Sequence, residues 1–141
     1  MANCRLPLTI QIANLIALIS LSTTPALAGA ESLSPRDAGA RYGQALGAIE
    51  VCHGSKLTAA AEALRSMYAG IGNQTPKAQF NVEFNAQAAK IFNAWRAVKN
   101  CANGRDPNQC KIIMDKSCAD AEAEIGANGH VLPGLVDFAP R

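Results

Sequence analysis

The segment Thr75–Asn100, "TPKAQFNVEFNAQAAKIFNAWRAVKN", decides the fold. Its apolar residues recur at intervals of four, four, three, four and three, which is the spacing of one helix face. They are Phe80, Phe84, Ala88, Ile91, Trp95 and Val98. Pro76 follows Thr75, and a proline after a capping hydroxyl is typical of a helix start. We therefore predict a long helix from Pro76 to about Asn100 that forms the centre of the core.

The same start signal occurs at two other places in the chain. The dipeptides Ser34-Pro35 and Asp106-Pro107 each put a capping oxygen before a proline, which has no N–H to leave unpaired at the first helical position. Apolar residues then recur at helical spacing after both dipeptides. These signals predict helices over Pro35–His53 and Pro107–Ile125.

A shorter, alanine-rich helix is expected between the first two long helices. It starts near Ser55, carries apolar residues from Leu57 to Tyr68, and stops at Gly70. No segment alternates apolar and polar residues with the period of two that a strand with one exposed face needs. The sequence thus predicts an all-α fold, a small helical bundle of about four helices that occupies residues 29–126 as one domain.

The N-terminal residues 1–28 have the pattern of a cleaved secretory signal. Arg5 precedes an apolar run that is densest over Leu15–Leu21, and the small residues Ala26 and Ala28 follow it. A membrane span needs about 20 predominantly apolar residues, and polar side chains interrupt this run. We predict cleavage near Ala28, a location in the periplasm or outside the cell, and no membrane insertion once the signal is removed.

Four cysteines remain when Cys4 leaves with the predicted signal. They are Cys52, Cys101, Cys110 and Cys118. An even number of cysteines in a small exported chain favours disulfides. A zinc site usually contains ligands at close spacing, and these cysteines are widely separated. We therefore predict that two disulfides staple the bundle.

Helix geometry limits how the cysteines pair. In an up-down-up-down bundle, the first and third helices end at the pole where the fourth begins. Cys118 lies about 12 Å beyond Cys110 along a continuous helix, whereas disulfide α-carbons are roughly 4.4–6.8 Å apart. Two pairings remain, Cys101–Cys110 with Cys52–Cys118 and Cys52–Cys110 with Cys101–Cys118. We favour the first because Cys101 and Cys110 flank a tight turn. A helix break at Ser117 would restore a third, Cys52–Cys101 with Cys110–Cys118.

The letters Cys52-His53-Gly54 match the end of a haem-attachment motif, Cys-x-x-Cys-His, but Ile49 stands where the first cysteine belongs. A simpler interpretation is that Cys52 is half of a disulfide, His53 lies in the last helical turn and Gly54 ends the helix. His53 and His130 are far apart in sequence, and neither has a second ligand at helical spacing. We predict no cofactor and no metal site; the alternative is a small haem- or metal-binding protein that uses Cys52 and His53.

Charge and motifs favour a binding function over catalysis. The chain has 13 basic and 11 acidic residues, so it lacks the positive excess that predicts nucleic-acid binding. No Gly-x-Ser-x-Gly turn or other recognisable nucleophile arrangement occurs, and we predict no catalytic residue and no enzyme. We expect an exported, non-enzymatic binding or structural module for another protein or a cell-envelope component.

The C-terminal residues 127–141 form an irregular, apolar tail. Pro133 and Pro140 interrupt any helix in this segment. Its apolar side chains must either pack back on the bundle or contact a partner, and the sequence leaves both alternatives open. The residues named as a possible partner contact are Leu132, Leu135, Val136 and Phe138.

Overall fold

The computed structural model describes residues 33–69, 75–102 and 106–140. Their elements are, in chain order, α1 (Pro35–Val51), β1 (Lys56–Leu57), α2 (Ala59–Ala69), α3 (Thr75–Lys99), a 3₁₀ turn (Asn100–Ala102), α4 (Pro107–Ile125) and β2 (Val136–Asp137). The predicted all-α class is confirmed, because four helices form the described fold and each strand has only two residues. The predicted signal, residues 1–28, lies outside the described residues.

Local signals place the helix ends where the sequence predicts them. The Ser34 hydroxyl accepts a hydrogen bond from the Asp37 N–H at 3.1 Å. The Asp106 carboxylate accepts one from the Asn108 N–H at 2.9 Å. Both predicted caps are therefore present, and each supplies an acceptor for an N–H that the helix leaves unpaired. After α1, Gly54 has a φ of +75°, the left-handed conformation that glycine adopts most readily.

The predicted second helix is present as α2, but it begins at Ala59, four residues after the predicted start near Ser55, because a short strand comes first. Strand β1 pairs antiparallel with β2, with Lys56 opposite Asp137 and Leu57 opposite Val136. The Thr58 hydroxyl then accepts from the Ala60 N–H at 3.2 Å and starts α2. Periodicity within one segment did not indicate this strand because its partner lies in the C-terminal tail.

The contact between α1 and α3 brings two backbones together. The face of α1 that meets α3 carries three glycines spaced by four residues, Gly39, Gly43 and Gly47. A Cβ on the first would overlap the backbone of Phe84, one on the second the backbone of Ala88, and one on the third the side chain of Trp95. The residue numbers of the contacting positions increase in the same direction along both helices. Helices α1 and α3 therefore run parallel, as the predicted up-down-up-down order requires.

Aromatic rings extend this contact toward α2. The Phe84 ring lies 5.6 Å from the Tyr42 ring and stacks on the Tyr68 ring at 5.8 Å, measured between centroids. The Tyr68 hydroxyl donates to the Leu33 carbonyl at 2.7 Å, which ties the chain before α1 to α2. Burial raises the pKa of the Tyr42 hydroxyl above its usual 10.0, so this side chain stays protonated at neutral pH.

The tail packs back on the bundle over residues 127–140. Leu132, Leu135 and Val136 are at most 1% exposed, and Phe138 is half-buried against the same core. Of the two alternatives that the sequence left open for these four residues, the structure shows packing on the protein's own core, and a partner contact through them stays a prediction. The apolar side chains of the tail therefore contribute to the folded core.

The tail backbone also caps the end of α4. The last carbonyls of a helix have no partner within it. N–H groups of the tail donate to the carbonyls of Ala123, Glu124 and Ile125 at 3.0–3.1 Å. The donors are His130, Val131, Leu132 and Leu135. Because of these bonds and the buried side chains, the tail and the helices form one packed unit.

Candidate functional site

Two disulfides hold α4 near the pole where α1 and α3 end. One joins Cys52 to Cys118 with α-carbons 5.7 Å apart, and the other joins Cys101 to Cys110 with α-carbons 5.5 Å apart. This is the pairing that the sequence favours. Helix α4 continues through Ser117 without a break, so the geometry required for the third pairing does not occur.

The disulfides determine what chemistry Cys52 and His53 offer. The Cys52 sulfur is bonded to Cys118 and has no thiol with which to form a thioether. His53 is exposed, and the Nδ1 atom of His130 lies 2.6 Å from the Ala123 carbonyl oxygen. Within the ranges that the structure describes, no three His, Cys, Asp or Glu side chains are grouped so that they fit a metal ion. In these ranges, Cys52 and His53, the residues of the haem or metal alternative, therefore do not belong to any such group of metal-binding side chains.

A groove of about 420 Å³ lies between α3 and α4, with α1 at its floor. Its apolar lining is Ala40, Ile91, Ala94, Trp95 and Val98. Its polar lining is Arg41, Gln44, Ser117 and Asp120. Concave sites of this size, mostly apolar with a few polar groups, are typical of small-ligand binding. We name this feature the α3–α4 groove.

The first half of α4 leaves the α3–α4 groove open because it packs little against α3. Over Pro107–Ser117 the only buried residue is Cys110, whereas Ala121 and Ile125 in the second half are buried. Ile112, also in the first half, is 67% exposed. The first half of α4 is thus linked to its neighbours mainly through the Cys101–Cys110 disulfide and through the Cys52–Cys118 disulfide that directly follows it.

A polar network crosses from α1 to α4 at the end of the groove away from the disulfides. The Arg41 guanidinium donates to Glu124 at 2.6 Å and to the Gln44 side-chain oxygen at 2.9 Å. The Gln44 amide donates to the same Glu124 oxygen at 2.8 Å. The Arg41 and Glu124 side chains are each about one third exposed. Their opposite charges therefore pair in a region from which water is partly excluded.

The remaining polar groups of the groove differ in what they contact. Asp120 pairs with Lys116 at 2.6 Å, and both side chains are exposed. The Ser117 hydroxyl is half-buried and makes no hydrogen bond within the described part of the chain. The charged groups of the groove therefore already have partners, and Ser117 offers an uncommitted hydroxyl to a ligand.

Sequence reasoning did not find this groove. Trp95 is 9% exposed, which fits its predicted place in the core, but Ile91 and Val98 are only half-buried. The periodicity of α3 identifies its apolar face without saying which residues on it find a partner. The available signal was in α4, where Ser117 and Asp120 follow Ile113 at intervals of four and three, so this face of α4 is polar where it meets the apolar face of α3.

The fold and groove define a class of protein, a small all-α domain with two disulfides and a helix-lined cleft. No protein-family model matches the chain, and comparison with curated proteins and with solved structures gives no match. No helix in the described ranges has the length and apolar character needed to cross a membrane. The function is therefore argued from the groove itself.

Proposed function

We propose that this protein is an exported, non-enzymatic binding module whose ligand site is the α3–α4 groove and whose partner is a protein or another component of the cell envelope. The observation that carries the proposal is a concave, largely apolar surface of about 420 Å³ next to an uncommitted hydroxyl, that of Ser117.

Export is supported by two independent features. Residues 1–28 have the pattern of a signal peptide. The two disulfides are bonds that persist in oxidising compartments and are rare in the cytosol. Intact-mass measurement of protein recovered from a periplasmic extract is expected to give a chain that begins at Gly29, with four cysteines oxidised. A mass that retains Met1 and carries reduced cysteines in that fraction would contradict export.

The binding proposal is tested with ¹⁵N-labelled, oxidised protein and an envelope extract fractionated by size. Addition of an active fraction is expected to shift the backbone signals of groove residues such as Ala94, Val98 and Ser117. The filled variant Ala94→Phe should abolish these shifts because its ring occupies the groove. The matched control is Ala97→Phe, since Ala97 is an exposed alanine on the same helix that does not line the groove.

Two results would contradict the binding proposal. One is that no extract fraction shifts the groove signals. The other is that the shifts persist unchanged in Ala94→Phe, which would locate the interaction elsewhere. A control variant that behaves like the filled variant would point to a general effect of an added phenyl ring on α3.

A further inference from the structure

We propose that the occupant of the α3–α4 groove is a small neutral molecule with a compact apolar body of about two fused rings and one hydrogen-bonding group. The proposal rests on the groove being the binding site and adds the chemical class of its ligand. It excludes a peptide helix and a charged ligand. Three properties of the groove carry it: its length, its lining and the state of its charges.

The groove is too short for a helix. From Ile91 to Val98 the α3 wall spans about 10 Å, and from Ser117 to Asp120 the α4 wall spans about 5 Å, at 1.5 Å per residue. A helix of three turns is about 16 Å long and at least about 10 Å wide with its side chains. The Cys101–Cys110 disulfide lies beyond one end, and the Arg41 network lines the other, so a longer occupant would meet both. A two-ring body fits between these ends.

The walls of the groove favour an apolar body. Ile91, Trp95 and Val98 contribute aliphatic and aromatic surface from one helix, and Ala94 leaves space between them. Removing an apolar ligand of this size from water is favourable in proportion to the area it buries. The lining therefore selects for ring systems or branched hydrocarbon.

The charges of the groove exclude a charged ligand. Arg41 is paired with Glu124, and Asp120 is paired with Lys116. An anion that binds Arg41 would have to displace Glu124 where water is partly excluded, and any charge against the apolar walls would lie unpaired, so both arrangements are unfavourable. The exposed Lys116–Asp120 pair adds little to this preference. The Ser117 hydroxyl has no partner of its own and both donates and accepts, so it matches a hydroxyl, amide or carbonyl group.

The experiment uses Trp95 as a local reporter, because it is the one tryptophan in the chain. The probe is decahydro-2-naphthol, a neutral two-ring alcohol that does not absorb at the tryptophan excitation wavelength. Titration into the oxidised protein is expected to give a saturable change in Trp95 emission. The anionic comparison, decahydro-2-naphthoate, is expected to bind at least about tenfold more weakly, because its charge finds no free partner.

Two variants locate the probe and its polar group. Ala94→Phe should abolish saturable binding, whereas Ala97→Phe should leave it unchanged. Ser117→Ala leaves the groove open and is expected to weaken binding of the alcohol about fivefold, the effect of losing one neutral hydrogen bond. Circular dichroism of each variant checks that the helices are retained. If Ala94→Phe fails to fold, Ser117→Ala still tests the polar contact.

The outcomes separate the ligand class from the function. Equal binding of the alcohol and the carboxylate, or binding that Ala94→Phe does not reduce, overturns the inference. If the probe fails to bind while envelope extract still shifts groove signals, the inference is wrong and the proposed function stands. If both the probe and every extract fraction fail, the groove is no binding site and both proposals are wrong.

Discussion

The α1–α3 contact and the first half of α4 are held in place in opposite ways. In the first region, Gly43 lets the backbone of α1 rest against the backbone of Ala88. In the second, Cys110 is the only buried residue over Pro107–Ser117, and both described disulfides involve α4. Close packing positions one pair of helices, while covalent bonds position a helix that covers little of its neighbour. The α3–α4 groove is the space that this second arrangement leaves open.

Removing the long disulfide should have the largest effect on stability. The double variant Cys52→Ala/Cys118→Ala is expected to lower the free energy of unfolding by about 4 kcal/mol, because the bond closes a long loop in the unfolded chain. Urea denaturation followed by circular dichroism measures this loss. The matched variant Cys101→Ala/Cys110→Ala should lose about 3 kcal/mol because its loop is short. A smaller loss for the long bond than for the short one would contradict this explanation.

Adding one methyl group to the α1–α3 contact tests the packed region. Gly43→Ala is expected to cost about 2 kcal/mol, because the new Cβ meets the Ala88 backbone and the helices must separate. Replacing a helical glycine by alanine would otherwise stabilise the chain by about 1 kcal/mol, so the sign of the change is informative. Thermal unfolding measures it. The control is Ala86→Leu on the exposed face of α3, with a change within about 0.5 kcal/mol.

The same substitution in the two halves of α4 should give different results. Ile125→Val removes a methylene at a fully buried site and is expected to cost about 1 kcal/mol. Ile112→Val removes it from a side chain that is 67% exposed, and the change should stay below about 0.5 kcal/mol. Urea denaturation of both variants provides the comparison. Equal losses would mean that the first half of α4 is packed after all.

The smallest effect is expected at the ion pair between α1 and α3. The Lys99 ammonium donates to Glu50 at 2.5 Å, and this hydrogen bond with its charge lowers the pKa of Glu50 below the usual 4.5. The pair therefore adds stability above about pH 4.5, and this is lost as the pH falls through the folded-state pKa. Glu50→Gln should lower the urea midpoint slightly at pH 7, and this difference should be smaller at pH 3. An equal difference at both pH values would contradict this assignment.

Features that depend on adjacent residues could be predicted from the sequence. The caps at Ser34 and Asp106 need only an oxygen followed by a proline, and both form as predicted. The continuous helix through Ser117 and the roughly fixed rise per residue limit which cysteines can meet. That distance argument left two pairings, and the observed one was favoured because Cys101 and Cys110 flank a tight turn.

Features that depend on distant residues could not be predicted in this way. Leu57 pairs with Val136, so β1 and the docked tail appear only when both ends of the domain are in place. The four-residue glycine spacing in α1 was visible in the sequence, but its meaning depends on the α3 backbone that it meets. The groove is a place where α4 does not cover α3, and periodicity reports the apolar faces of helices without reporting gaps between them.

We infer that oxidised sulfur, rather than packing, holds the first half of α4 in place. Amide hydrogen exchange, resolved by residue in the oxidised protein and in dithiothreitol, tests it most directly, with thiol titration to confirm that all four cysteines are reduced. We expect the amides over 107–117 to lose their protection on reduction, while the amides of α1 at its contact with α3, such as that of Gly43, keep theirs longest. Four free thiols with unchanged protection over 107–117 and an unchanged melting temperature would contradict it.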